Sequence, residues 1–190
     1  MPKKARWSKL VLRMKLVQLL RFLKQNYTYA QLAGILKEPV TVLARYVHGE
    51  VLPSYGKATC LLPKVERVVR DIMVDMVKPG DDGFFDITRL LSEVASRTAF
   101  TMWAVDRVTG TRVNKVLTAA VDGVPLAVSL SDALGVPVAV AKREREAGVR
   151  DFWTTVVEWP SGRVETLWLP KHLLRKREWV VIVDDIIRTG

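Results

Sequence analysis

Four consecutive β-branched residues, Val180-Val181-Ile182-Val183, run straight into the acid pair Asp184-Asp185. An apolar run without polar alternation reads as a strand covered on both faces, which is how strands of a parallel sheet look in sequence. Parallel strands cannot be joined by hairpins and require crossover connections, so this run demands an α/β architecture around it. The acids fall at the carboxyl end of the strand, where open α/β sheets bind ligands. Ile186-Ile187-Arg188-Thr189-Gly190 follow. Thr and Gly there suit a turn whose backbone N–H groups wrap a phosphate. The plainer alternative is a strand that ends in a solvated acidic turn.

Upstream residues supply the rest of such a sheet. Val116–Val121 reads as a strand, Asp122-Gly123-Val124-Pro125 as a turn, and Leu126–Leu134 as a helix stopped by Gly135. Val136–Ala141 is the next strand, which completes a βαβ unit. Lys142-Arg143-Glu144-Arg145 closes it. Polar turns at Ala147-Gly148 and Pro160-Ser161-Gly162 then bracket a β-ribbon, Phe152–Val157 against Arg163–Leu169. The last strand is Trp179–Val183.

Charge divides the chain. The net charge of +10 is carried by the first third: residues 1–70 hold 14 Lys and Arg against three acids, and residues 71–190 hold 16 against 17. A concentrated basic module beside a near-neutral one suggests a polyanion-binding part attached to something else. The 49% hydrophobic content supports a core, and no apolar stretch approaches the ~18 residues of a membrane span. The basic N-terminus lacks the apolar run of a secretory signal. A single cysteine, Cys60, excludes an intrachain disulfide and a cysteine zinc cluster. These features fit a cytoplasmic protein without a membrane partner.

The basic third reads as helices. Residues 7–25 place Leu10, Val11, Met14, Val17, Leu20 and Leu23 at helical spacing, with Ser8 as a cap. Thr28 caps a short helix over Tyr29–Leu36, Lys37-Glu38 makes a tight connection, and Pro39 opens a second helix that Gly49 ends. Two short helices across a tight turn have the spacing of a helix-turn-helix unit. Its second helix would enter the major groove, with Thr41, Val42, Arg45 and His48 exposed for contacts to double-stranded DNA. An ordinary helical hairpin is the competing reading. The aromatic residues Trp7, Tyr27, Tyr29 and Tyr46 leave base stacking on RNA as a weaker one. Residues 53–63 read as a linker with two prolines and a glycine, 64–77 as an amphipathic helix, and Asp86–Ala104 as a helix capped by Asp86.

The terminal run resembles the 5-phosphoribosyl-1-pyrophosphate (PRPP) motif of type I phosphoribosyltransferases. Gly123-Val124-Pro125-Leu126-Ala127 is similar to that family's pyrophosphate loop, and Lys142-Arg143 to the basic residues after its next strand. The stretch from Lys142 to Gly190, with a ribbon preceding Leu169-Pro170-Lys171, is similar to the purine repressor and xanthine phosphoribosyltransferase branch. The resemblance implies that Asp184 and Asp185 hold the ribose hydroxyls and steady charge at C1′. It implies that Arg188, Thr189 and Gly190 hold the 5′-phosphate, and that Asp122, Gly123, Val124, Lys142 and Arg143 serve the pyrophosphate. Mg²⁺ would arrive with PRPP rather than on direct protein ligands, and residues 147–169 would form a lid. The expected organisation is a helix-turn-helix domain over 1–55, a linker and connecting helix over 56–84, and a phosphoribosyltransferase-like domain over 85–190. That last domain is expected to be incomplete, because a phosphate loop normally continues into a helix. The resemblance implies a homodimeric DNA-binding regulator with PRPP or a purine nucleotide as effector. A catalytically active purine phosphoribosyltransferase is the alternative.

Overall fold

The computed structural model describes residues 3–77, 79, 84–158 and 162–186, with side chains from Lys9 onward. The chain divides into two compact units, Met1–Met102 and Trp103–Gly190.

The first unit is all α. It contains α1 (Lys3–Asn26), α2 (Tyr29–Leu36), α3 (Val40–His48), α4 (Tyr55–Met76), α5 (Thr88–Ser92) and the start of α6 (Val94–Val108). On α1, Leu16, Leu19, Leu20 and Leu23 recur at helical spacing, and all four are buried. They close on Leu32 and Leu36 of α2, Leu43 of α3, and Ala58, Leu61 and Val65 of α4. Each such leucine contributes about 1.5–3 kcal/mol relative to leaving it in water. The capping box at Thr28 forms: its side chain accepts from the Gln31 N–H, and the Gln31 side chain accepts from the Thr28 N–H.

Three expectations for this unit are corrected. Helix α1 begins at Lys3, so Ser8 lies inside it and does not cap it. Residues 53–63 are not a linker. Ser54 caps α4 by accepting from the Lys57 N–H, and the helix runs through Pro63 because Ala58, Leu61, Leu62 and Val65 bury one continuous face. That burial outweighs the hydrogen bond Pro63 cannot make. The helix expected over Asp86–Ala104 is broken at Glu93, whose backbone is extended. Arg97 turns back to donate to the Leu91 and Ser92 carbonyls, which satisfies acceptors freed at the end of α5. Asp86 acts one step earlier, accepting the Thr88 N–H at 2.9 Å.

The second unit is α/β, with β1 (Lys115–Ala119), α7 (Val124–Leu134), β2 (Val138–Ala141), β3 (Phe152–Glu158), β4 (Val164–Pro170) and β5 (Val180–Ile182). A three-stranded sheet runs in the order β2-β1-β5, and both pairings are parallel. β1 is thus flanked on both sides, and Val116 is fully buried. The register sets Leu117 beside both Ala139 and Ile182, so all three carboxyl ends rise together. β3 and β4 form the antiparallel ribbon, in register from Phe152–Pro170 to Glu158–Val164. The ribbon is fastened to the end of β2 by two backbone hydrogen bonds between Lys142 and Trp168. One further expectation fails. β5 is an edge strand of the described sheet, with Ile182 67% exposed, so its apolar run is not covered on both faces there.

Candidate functional site

The parallel register brings the turn after β1 and the acids after β5 to the same end of the sheet. β5 continues one hydrogen bond further, from the Val183 N–H to the Leu117 carbonyl, and Val183 is buried. Asp184 and Asp185 follow, both half-buried. Across from them the β1 turn passes through a cis Ala120–Val121 peptide to Asp122 and Gly123. Gly123 has φ −71° and ψ −16°, a conformation open to any residue. Its requirement for glycine is spatial. A Cβ there would fall 2.5 Å from Thr118 Oγ1, 2.6 Å from Asp184 Oδ1 and 3.0 Å from Asp184 Cα. The turn and the acid strand therefore meet at Gly123 with no room for a methyl group.

The meeting crowds negative charge. Burial holds the Asp184 carboxyl above the ordinary aspartate range, and the side chain of Asp185 and the charge of Asp122 push the same way. The Asp185 N–H donates to Asp184 Oδ1 at 3.0 Å and partly offsets them. Gly123 is also the residue from which α7 starts, so the positive end of that helix opens beside the acids. The Val124 N–H is turned onto the Val121 carbonyl within its own turn. Acceptor oxygens next to a helix N-terminus suit a ligand that offers hydroxyl donors and an anion together.

Lys142 and Arg143 stand at the end of the neighbouring strand, but both have acidic partners. Lys142 Nζ lies 3.0 Å from Glu146, and Arg143 Nε lies 3.2 Å from Glu165. Arg188, Thr189 and Gly190 lie outside the described residues.

No family model matches the sequence. A probable purine biosynthesis transcriptional regulator of Streptococcus pneumoniae is 28% identical over 120 residues, covering 61% of this chain and 42% of that protein. A xanthine phosphoribosyltransferase of Alkaliphilus metalliredigens is 28% identical over 86 residues, covering 44% of this chain and 43% of that protein. The adenine phosphoribosyltransferase structure from Thermoanaerobacter pseudethanolicus superposes with a TM-score of 0.53 at 17% identity, over 59% of this chain and 67% of that one. The structural likeness shows a fold shared with that phosphoribosyltransferase, and the sequence relatives are a purine biosynthesis regulator and a xanthine phosphoribosyltransferase. The chain spans less than half the length of these curated relatives.

In this phosphoribosyltransferase-type sheet, one residue of the site escaped the sequence reading. Thr118 is buried near the carboxyl end of β1, with its hydroxyl oxygen 2.5 Å from where a Cβ at Gly123 would lie. The available signal was a lone hydroxyl inside an otherwise apolar strand.

In the helical unit, Thr41, Arg45 and His48 of α3 are exposed as expected. Val42 is not: it is half-buried and packs against the leucine core, because it lies one turn before Tyr46 on the inward face. Arg45 faces Glu50 at 3.7 Å, and His48 Nε2 lies 3.3 Å from the Tyr29 hydroxyl. Sequence reasoning also missed Arg21. From α1 its Nε donates to the Val47 carbonyl at 2.9 Å, and a Cβ at Gly49 would stand 3.1 Å from its guanidinium. It thereby ties down the carboxyl end of α3 with a cation, where the helix dipole favours one.

Proposed function

We propose that this chain is a DNA-binding transcription regulator whose phosphoribosyltransferase-like unit binds PRPP or a purine nucleotide as effector. The observation that carries the reading is the meeting of Gly123 with Asp184 at adjacent parallel strand ends. It sets carboxylates and a helix N-terminus side by side, which is the chemistry a phosphoribosyl group needs. Asp184 and Asp185 accept the ribose hydroxyls, while Asp122, Gly123 and Val124 border the pyrophosphate. Lys142 and Arg143 add positive charge once released from Glu146 and Glu165. Arg188, Thr189 and Gly190 are assigned to the 5′-phosphate.

Mg²⁺ would come bound to the pyrophosphate, and the nearby carboxylates suit a cation held there by phosphate oxygens rather than by direct protein ligands. Bound there, the ion would neutralise phosphate charge next to Asp184 and Asp185. The chain's own share is to hold acceptors in place and exclude a side chain at residue 123.

DNA binding is assigned to the helix-turn-helix of α2 and α3, within residues 1–55, through Thr41, Arg45 and His48, with Val42 supporting the helix from below. The charge excess of residues 1–70 supports this. A homodimer would present two such helices to two half-sites. Among the described residues no helix is long and apolar enough to cross a membrane. DNA and PRPP place the protein's work in the cytoplasm.

Duplex binding measured with and without Mg²⁺-PRPP tests the reading. DNA affinity that weakens with salt and shifts severalfold with PRPP is the expected result. Absence of duplex binding at low salt overturns it. The likeness to a xanthine phosphoribosyltransferase favours catalysis as a second reading. Pyrophosphate release on incubation with Mg²⁺, PRPP and a purine base would establish it.

A further inference from the structure

We infer that the segment Lys171–Arg177 is a second surface for the phosphate backbone of duplex DNA, in the sheet unit and separate from the acid turn. The inference rests on the DNA-binding reading and extends it to a part of the chain that reading does not use. Residues 171–177 read KHLLRKR, and no acid occurs from Thr166 to Arg177. Over residues 71–190 acids slightly outnumber cations, so this stretch is a local reversal of the unit's balance.

The structure leaves these cations at the surface, with Lys171 Nζ 5.3 Å from the centre of the Trp153 ring. Lys171, His172, Arg175, Lys176 and Arg177 are all exposed. The acid that follows, Glu178, is shared between Arg175 and Lys115, which leaves Lys176 and Arg177 as the cations it does not engage. Its carboxylate accepts the Arg175 backbone N–H at 2.8 Å and faces Lys115 Nζ at 3.3 Å, which keeps its pKa below the ordinary glutamate range. Asp151 is the other nearby acid, since its carbonyl accepts the Lys171 N–H. Lys176 and Arg177 are in no ion pair among the described residues.

The backbone adds an independent sign. Arg177 has φ +68°, the left-handed region where glycine or asparagine is the ordinary choice. The turn into β5 asks for glycine and has a third consecutive cation instead.

Position separates this surface from the effector site. The segment leads into the amino end of β5, whereas Asp184 and Asp185 follow its carboxyl end. A ligand at the acids does not reach it along the strand. A lipid surface fits less well than nucleic acid. A membrane-bound segment needs an apolar face to insert, but here only a single 3-10 turn is helical, Leu173 and Leu174 are half-buried, and the Leu173 carbonyl is bonded to Lys115. The exposed Trp179 next to the cations suits contact with a nucleic acid as well.

The test is the full chain carrying R175Q, K176Q and R177G together, binding a mixed-sequence 40-base-pair duplex (on the order of four helical turns) across a salt series. R177G places glycine where the backbone prefers it, so the fold is kept, as circular dichroism checks. The expected result is roughly 10- to 100-fold weaker binding, with the slope of log K against log salt reduced by about 2 to 3. An R45Q variant supplies the comparison for α3. A triple variant that binds the duplex like the parent overturns the inference and leaves the functional reading standing. A triple variant that keeps duplex binding but loses adhesion to phosphatidylglycerol vesicles overturns it in favour of a membrane. A parent chain that binds no duplex overturns the functional reading and this inference with it.

Discussion

Helix α3 and the acid turn are held in place in opposite ways. Helix α3 is braced by groups that need no ligand: a leucine core beneath it, Gly49 closing its end by donating to the Arg45 and Tyr46 carbonyls, and Arg21 tied to Val47. The acid turn is held by a steric fit at Gly123, and its charges oppose one another. The helical surface is therefore preorganised by packing and by local hydrogen bonds. At the acid surface burial first, and the neighbouring acids after it, disfavour the charge on Asp184, a cost that a bound cation would offset. In the proposed regulator that asymmetry gives the ligand something to change.

The comparison breaks first if the α3 surface does not depend on its core. Leu43→Ala removes a fully buried side chain beneath α3 and should cost about 2–5 kcal/mol. Thermal melts followed by helical circular dichroism should show that loss, and duplex affinity should fall with it. Effector binding measured by calorimetry should be retained, since Leu43 lies in the helical unit's own core.

The acid turn makes the opposite forecast. Gly123→Ala places a methyl group against Thr118 and Asp184, so the turn and the acid strand must part. PRPP affinity should fall about 100-fold, roughly 2.7 kcal/mol, with secondary structure kept. Unchanged affinity would mean that the Gly123–Asp184 contact has no part in binding. A smaller effect is expected at Arg21. Arg21→Ala removes a charge-assisted bond to the end of α3, and should lower stability by about 1 kcal/mol. Duplex affinity should drop severalfold while the salt slope falls by less than one phosphate contact, because Arg21 acts through α3 rather than on DNA.

These residues also mark how far the sequence could be read. The βαβ unit, the ribbon and the acid end of β5 follow from patterns with a short period, and they lie where the patterns put them. Thr28 and Gly49 were legible because capping chemistry is local. Pro63 misled because local punctuation yields to a buried face that is only defined by α1. The fit of Gly123 against Asp184 was not legible either, since the two are 61 positions apart and only the parallel register brings them together. Arg21 is one cation among many on α1, and nothing along the chain announces that it reaches Val47.

The finest test of the asymmetry is electrostatic. Burial and the neighbouring acids raise the Asp184 pKa in the folded state, so the folded protein holds that proton more tightly than the unfolded chain. Between the ordinary aspartate range and the raised value, stability contributed by this group is therefore lost as pH rises, and the deficit persists at neutral pH. Asp184→Asn removes the titration. Its melting temperature should match the parent's in acid, exceed it increasingly across that window, and stay modestly higher at pH 7, while PRPP binding is lost. Mg²⁺-PRPP should close the gap from the other side. At 100 times its Kd it adds about 2.7 kcal/mol to the parent and nothing to the variant. An Asp184→Asn protein that is less stable than the parent at pH 7 would show that the acid turn is braced like α3, by favourable contacts, and that the Asp184 charge carries no cost there for a ligand to offset.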